Sequence, residues 1–469
     1  MWTVRWSGLT LLISLTVIRA QIEDDFSDLP GPYCESRNTC CDGRQDECAV
    51  PILETLCYCD SFCNATGTGS HNDCCPDYYS FCRGVVRTTT FRPSTRPPPD
   101  FPGFILRCDY KGKTHRPNQP FKDNCNTCTC VDAGGRAEIQ CEQNTCLVDD
   151  KIIYTVNNKP DLGWTATNYS DFYGRTLDEG MTLRLGSLRP YAVSEMLPTI
   201  KKNNDPSRLP REFDIERKWS GVGLTKIQDQ GWCSSSWAVS STSVASDRFS
   251  IISQGMERVQ LSTQNLLSCF KGRKIHETCK AGRVDQAWQF MKKFGVVDEP
   301  CFPYLGKEKT CTIKMRGDLR RANCAAPSSG RTQRYKVGPA YKLRNETDIM
   351  FDIMKSGPVQ ATMKVHHDFF SYRSGIYQLS DLSLYDDQKY VNEMHSVKIV
   401  GWGEENTING VKKYWKVANS WGRHWGENGY FRIARGVNEC EIETYVVGVW
   451  PEIEEHIELN SRYFSENRI

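Results

Sequence analysis

The sequence predicts an α+β protein in which a large two-lobed C-terminal domain follows small disulfide-rich modules. Three observations carry this. Cysteines fall into three blocks, ten between Cys34 and Cys82, six between Cys108 and Cys146, and seven between Cys233 and Cys440. The stretch from Trp237 to Ser253 has helical length and is rich in small residues. Farther on, Val397-Lys398-Ile399-Val400, Lys413 to Val417 and Tyr430-Phe431-Arg432-Ile433 read as strands, so helices and strands segregate by half.

At 469 residues the chain exceeds one compact core and implies roughly two to four domains. Lys and Arg number 59 against 57 Asp and Glu, a net charge of +2, so no global field recruits nucleic acid or an anionic membrane. Residues 1–20 carry Arg5, an apolar stretch from Leu9 to Ile18 and a small Ala20, the pattern of a secretory signal peptide. A membrane-spanning helix needs about 20 apolar residues, and no later segment supplies them. The 23 cysteines agree with secretion, because disulfides persist in oxidising compartments. Sequons at Asn64, Asn168 and Asn345 permit glycosylation there. An odd cysteine count leaves at least one thiol free or paired between chains.

The first cysteine block holds Cys40-Cys41, then Cys57-Tyr58-Cys59-Asp60-Ser61-Phe62-Cys63 and Cys74-Cys75, within a length too short for an apolar core. Residues 33–84 resemble a somatomedin-B-like module, with two cysteines beyond the usual eight. Residues 85–104, with Thr-Thr-Thr and Arg-Pro-Ser-Thr-Arg-Pro-Pro-Pro, read as an extended linker. Residues 105–147, with Cys125-Asn126-Thr127-Cys128-Thr129-Cys130, resemble a von Willebrand factor C-like module. Residues 151–208 contain no cysteine and, through Gly163-Trp164-Thr165-Ala166, resemble the short propeptide of cathepsin B, a segment that lies along the cleft. Its retention in the mature chain is the preferred reading.

From Leu209 the chain reads Leu-Pro-Arg-Glu-Phe-Asp, and then Gln228-Asp229-Gln230-Gly231-Trp232-Cys233-Ser234-Ser235-Ser236-Trp237. This resembles the papain and cathepsin signature Cys-Gly-Ser/Ala-Cys-Trp, with Ser236 at the place of the second cysteine. His395-Ser396-Val397, followed by Gly401-Trp402-Gly403, and Asn419-Ser420-Trp421-Gly422 match the family's histidine and asparagine motifs. The intervals, 395 − 236 = 159 and 419 − 236 = 183, favour a cathepsin B-like member over residues 209–452. The resemblance implies a papain-like two-lobed fold with Ser236 at a helix start, His395 facing it and Asn419 orienting the imidazole. Trp421 would shield that contact, and Gln230 would give the oxyanion-hole donor.

A neighbouring imidazolium and a helix N-terminus can drive a thiol to thiolate, but an alcohol cannot follow that far. Serine would need His395 as general base, in a site arranged around a larger sulfur. The reading is therefore an inactive peptidase homologue, with a weak hydrolase using Ser236 and His395 as the alternative. A second departure is Cys279-Lys280-Ala281-Gly282, where the family has Cys-Asn-Gly-Gly beside the substrate backbone. Ala281 would narrow that strand and Lys280 add a charge.

By analogy with cathepsin B, Cys233 pairs with Cys279 and Cys440 is the candidate free thiol. Arg316-Gly317-Asp318 looks like an integrin-recognition tripeptide, against which stands a chance match in a charged loop. His366 and His367 fit no motif and read as a surface pair, and residues 453–469 as a charged tail. No metal and no cofactor is expected.

The succession of signal peptide, cysteine knot, linker, C-like module and cathepsin B-like domain with Ser236 for cysteine resembles the tubulointerstitial nephritis antigen family. That resemblance implies a non-proteolytic glycoprotein of the extracellular space or basement membrane, whose partners are matrix proteins such as laminin or collagen and cell-surface integrins. A polysaccharide or a secreted signalling protein remains open as a partner.

Overall fold

A helix made of SWAVSSTSVASDRFSII should be poor by composition, since serine hydroxyls compete with the backbone. In the structure, a computed structural model, Ser236–Ile252 is nevertheless the longest helix among the described residues, and residues 236–251 are buried. Three of its serine hydroxyls are satisfied within the helix, and Ser236, Ser243 and Ser250 bond to neighbouring segments. Ser240, Ser241 and Ser246 donate to the carbonyls of Ser236, Trp237 and Thr242 at 2.6, 2.7 and 2.6 Å. Small side chains let neighbouring elements approach from every side, and the internal bonds remove the penalty of burying the hydroxyls.

The structure describes residues 32–83 apart from 39, 44–47, 53–54 and 62–73. It also describes residues 107–458 apart from 135, 191–196, 199–203, 271–276, 315, 326, 381–389, 391 and 408–409. The expected signal peptide, the Thr/Pro-rich linker and Asn64 lie outside them. The chain divides into two units, one ending at Gly103 and the other starting at Phe104.

In the first unit the helices Tyr33–Arg37 and Tyr78–Cys82 accompany a hairpin of Ala49–Ile52 and Thr55–Tyr58. The Asp77 carboxylate accepts from the Cys34 and Glu35 backbone amides at 3.0 and 3.1 Å, tying the two helices together. The core consists mainly of half-cystines, with Val50, Ile52 and Tyr78. Bonds join Cys34 to Cys59, Cys40 to Cys82, Cys41 to Cys48 and Cys57 to Cys75. A segment this short gains from cross-links what it cannot gain from apolar burial.

The second unit begins with short strands stapled by Cys108–Cys130, Cys125–Cys146 and Cys128–Cys141. This module is fastened to the segment that follows it. Leu147 N donates to Arg175 O at 2.8 Å, Leu177 N to Thr145 O at 2.8 Å, and Gly174 N to Asn124 Oδ1 at 3.0 Å. Two lobes follow. The sheet lobe is organised on Glu393–Thr407, which pairs antiparallel with Val359–Lys364 on one side and Gly410–Ala418 on the other. Beyond Gly410–Ala418 come Tyr430–Ala434, Tyr372–Tyr377 and, at the edge, Trp164–Ala166.

The helical lobe packs Ser236–Ile252, Thr263–Cys269 and Val284–Phe294 around a separate core containing Trp237, Phe249, Trp288 and Met291. Its staples are Cys233–Cys279, Cys269–Cys311 and Cys301–Cys324, and Cys440 is the one free thiol among the described cysteines. The predicted helix and all three predicted strands occur, the helix shifted by one residue and the strand at Val397–Val400 extended to Glu393–Thr407.

Two expectations are corrected. His367 does not belong to a surface pair, because its ring is buried and Nε2 lies 3.0 Å from Leu147 O, where it helps hold the preceding segment. The start of the charged tail at 453 is not detached from the domain. Glu454 accepts from the Thr332 and Gln333 amides at 3.1 and 2.6 Å and Ile457 is buried, so residues up to 458 pack on the domain.

Candidate functional site

The cleft residues named by the motifs converge. Ser236 opens the long helix, His395 sits on Glu393–Thr407, Asn419 and Trp421 follow Gly410–Ala418, and Gln230 precedes Cys233. His395 Nε2 and Asn419 Oδ1 are 2.7 Å apart, and the His395 and Trp421 rings lie 5.1 Å apart. Gln230 is oriented by Ser420 Oγ, which donates to Oε1 at 2.6 Å. All five residues are buried, although a working cleft would leave the nucleophile open to solvent.

Residues 182–188 of the preceding segment cover them. Gly186–Leu188 runs beside the Lys280-Ala281-Gly282 strand. Leu188 N donates to Gly282 O at 2.9 Å, and Gly282 N donates to Gly186 O at 3.0 Å. Ser187–Leu188 also pairs with Glu393 and Met394 on the opposite wall, so the segment bridges both lobes. The Leu185 carbonyl accepts from Gln230 Nε2 at 3.0 Å and from the Ser236 backbone amide at 3.3 Å. Those are the two donors that an oxyanion hole would aim at a developing charge. Gly186 makes the approach possible, since φ is +112° and a Cβ there would lie 2.3 Å from the Ser234 carbonyl carbon.

Ser236 is not joined to His395. Its Oγ lies 3.0 Å from Ser187 Oγ and accepts from Ser396 N at 3.2 Å, while His395 Nδ1 has no hydrogen-bond partner. A nucleophile and its base must be within hydrogen-bond reach for proton transfer, and here the hydroxyl serves a serine network instead. Burial pushes the His395 pKa down to about 4, opposed by the bond to Asn419, so the ring is neutral at physiological pH. A cavity of about 20 Å³ lined by Ser396, Asn419 and Ser420 remains beside it, room for a water rather than a peptide.

Arg184 anchors the covering segment. Its guanidinium is buried over the rings of Phe172, Trp232 and Trp421 and pairs with Asp229 at 3.1 Å, while its carbonyl accepts from Trp421 Nε1 at 2.8 Å. Burial lowers its pKa against the pull of Asp229. Farther back, Trp164, Tyr169, Phe172, Leu177, Met181 and Leu185 belong to the sheet-lobe core. At ~1.5–3 kcal/mol for a fully buried large side chain, these six together hold the segment by an amount comparable to a whole domain's stability, ~5–15 kcal/mol.

Residues 182–188 fall in the propeptide-like segment that the sequence places along the cleft, but no local pattern marks the Leu185 carbonyl, Gly186 or Ser396 as the groups that meet Gln230 and Ser236. Among the other expected positions, Lys280 is exposed and lies 3.7 Å from Glu277, and Ala281 is half-buried. Arg316 and Gly317 are exposed, while Asp318 is half-buried with Oδ1 accepting from Arg321 N at 2.9 Å. Asn168 and Asn345 are exposed, and Asn345 Oδ1 caps the helix Glu346–Ser356.

Residues 209–450 match the model of the papain family cysteine proteases. Over 439 residues the chain is 43% identical to tubulointerstitial nephritis antigen-like of Homo sapiens, covering 90% of this chain and 89% of that one. It is 38% identical over 441 residues to tubulointerstitial nephritis antigen of Homo sapiens, covering 90% and 88%. Among solved structures, procathepsin B S9 from Trypanosoma congolense superposes with a TM-score of 0.53 at 30% identity, over 66% of this chain and 99% of that one. With its papain-type cleft, its serine at the nucleophile position and relatives matched over nearly their whole length, the chain belongs to the papain family and, within it, to the tubulointerstitial nephritis antigen family.

Proposed function

We propose that this chain is a secreted, non-proteolytic papain-family homologue that serves as an adaptor in the extracellular matrix or basement membrane, binding matrix or cell-surface proteins. One observation carries the non-proteolytic part. The Leu185 carbonyl occupies the Gln230 and Ser236 donors while Ser236 Oγ bonds to serines rather than to His395. Substitution of the thiol and occupation of the cleft act together, because either alone would suppress peptide cleavage.

Disulfide use supports secretion, since every described cysteine except Cys440 is bonded and such density belongs to oxidising compartments. Among the described residues no helix is long and apolar enough to cross a membrane. The adaptor reading follows the family: laminin, collagen and integrins are the partners proposed. The exposed Arg316-Gly317 and the two cysteine modules offer surfaces that a closed cleft does not.

The test is Ser236→Cys in the full chain, assayed on small peptide substrates beside the parent protein and Ser236→Ala. No turnover by the parent, and adhesion to laminin or collagen unchanged in Ser236→Ala, is the expected result. Turnover by the parent that Ser236→Ala abolishes would reject the non-proteolytic reading.

A further inference from the structure

A second concavity lies on the helical-lobe side, away from the motif residues. It is a groove of about 540 Å³ lined by Lys293, Arg316, Arg321, Arg334 and Lys336, with Asp318 as the one acidic side chain on its wall. Arg334 is 2% exposed, and Nε, Nη1 and Nη2 are all buried without a hydrogen-bond partner. None of the five cations forms an ion pair among the described residues. Burial alone lowers the Arg334 pKa, with no carboxylate acting against it. An arginine stays charged in proteins, so a positive charge is held in low dielectric with no acid opposite it among the described residues.

The fold builds this arrangement. The helix Val284–Phe294 ends at Gly295, whose φ is +69° and whose Cβ would lie 2.8 Å from Arg334 Cβ and 2.9 Å from Lys336 Cγ. The missing side chain lets Arg334-Tyr335-Lys336 close against the helix end, where Val296 and Tyr335 exchange backbone hydrogen bonds at 3.0 Å. Gly317 has φ of +97°, and a Cβ there would lie 2.5 Å from Arg321 Cδ, so the glycine lets the Arg321 stem fold across the loop. The Asp318 carboxylate accepts from the Arg321 backbone amide at 2.9 Å, and its single negative charge stands against five cations in the groove.

We propose that this groove is a docking site for a sulfated polysaccharide, with Arg334 as its floor and Lys293, Arg316, Arg321 and Lys336 as its rim. Charge complementarity selects the ligand class. Five cations in one groove call for several anionic groups on one chain, and guanidinium forks match the oxygens of a sulfate group in pairs.

The full secreted chain is titrated with a heparin-derived hexasaccharide, with the same hexasaccharide after desulfation, and with a hexaglutamate peptide, each at low and physiological salt. Binding of the sulfated probe that falls at least tenfold on desulfation, and weakens as salt rises, is expected. Arg334→Met should weaken binding at least tenfold while raising the melting temperature, since an apolar side chain replaces an uncompensated buried charge. Lys293→Ala with Lys336→Ala, both at the rim, provides a second variant should Arg334→Met fail to fold, and it too should weaken binding severalfold. Binding left unchanged by the rim double variant overturns the site, and so does hexaglutamate binding as tightly as the hexasaccharide. Undetectable binding of the sulfated probe to the parent chain also overturns it.

Discussion

The cleft and the basic groove each bury nitrogen atoms without hydrogen-bond partners, yet the fold handles them in opposite ways. At the cleft the unpartnered nitrogens are those of the neutral His395 (Nδ1) and Asn419 (Nδ2) and of Arg184 (Nε, Nη2), whose charge Asp229 meets, and residues 182–188 fill the space where substrate would lie. At the groove the unpartnered group is the Arg334 guanidinium, which cannot shed its charge and which no segment of the described chain covers with an acid. A neutral orphan costs less than a charged one, and the backbone of residues 182–188 can close over it. A charged orphan keeps its desolvation cost until an anion arrives. One region thus has its donors met by the protein's own backbone, while the other keeps a buried charge that no described acid meets.

Breaking the seal should give the largest effect. Gly186→Val places a branched side chain against the Ser234 carbonyl, and the covering segment should lose ~3 kcal/mol or more of its hold. Hydrogen exchange of residues 182–188 is the readout, and protection equal to the parent's would show that the close approach is not needed. With the seal broken, Ser236→Cys gains access to peptide. The Gly186→Val, Ser236→Cys pair should therefore cleave small substrates faster than Ser236→Cys alone.

Acid should act next. Burial holds His395 at about 4 in the fold, against an ordinary value of 6.5. Between these values the unfolded chain binds the proton and the folded one does not. The contribution of the neutral ring is thus complete above pH 6.5 and is lost as pH falls toward 4, by roughly 3 kcal/mol at about 1.36 kcal/mol per unit. Urea unfolding at pH 7.5 and 4.5 should show a smaller drop in His395→Gln than in the parent, and equal drops would remove His395 as the cause.

The smallest effect belongs to Ser236. Its hydroxyl accepts from Ser396 N and meets Ser187 Oγ, so Ser236→Ala leaves a buried amide without a partner and should cost about 1 kcal/mol. A loss of several kcal/mol in thermal unfolding would mean that Ser236 organises the closed cleft rather than merely filling it.

Much of this was legible in the chain. The strand from Glu393 to Thr407, the helix from Ser236 and the Cys233–Cys279 bond follow from motifs whose residues are close in sequence or fixed by the family pattern. His367 was misplaced because nothing local distinguishes a ring capped by Leu147 O, 220 residues away, from an exposed one. The linear cysteine blocks likewise gave no sign that the second is hydrogen-bonded to Arg175 and Leu177 within the larger unit.

By itself the sequence determined the identity of the catalytic positions, the loss of the sulfur at Ser236 and the survival of Gln230, His395, Asn419 and Trp421. Tertiary structure alone decided that the Leu185 carbonyl lies on the oxyanion donors and that Arg334 has no counter-charge among the described residues. The reason is physical. Residue types and spacings are local, but occupation of a donor depends on a backbone approach across 45 positions, and a missing partner depends on everything that packs around the charge.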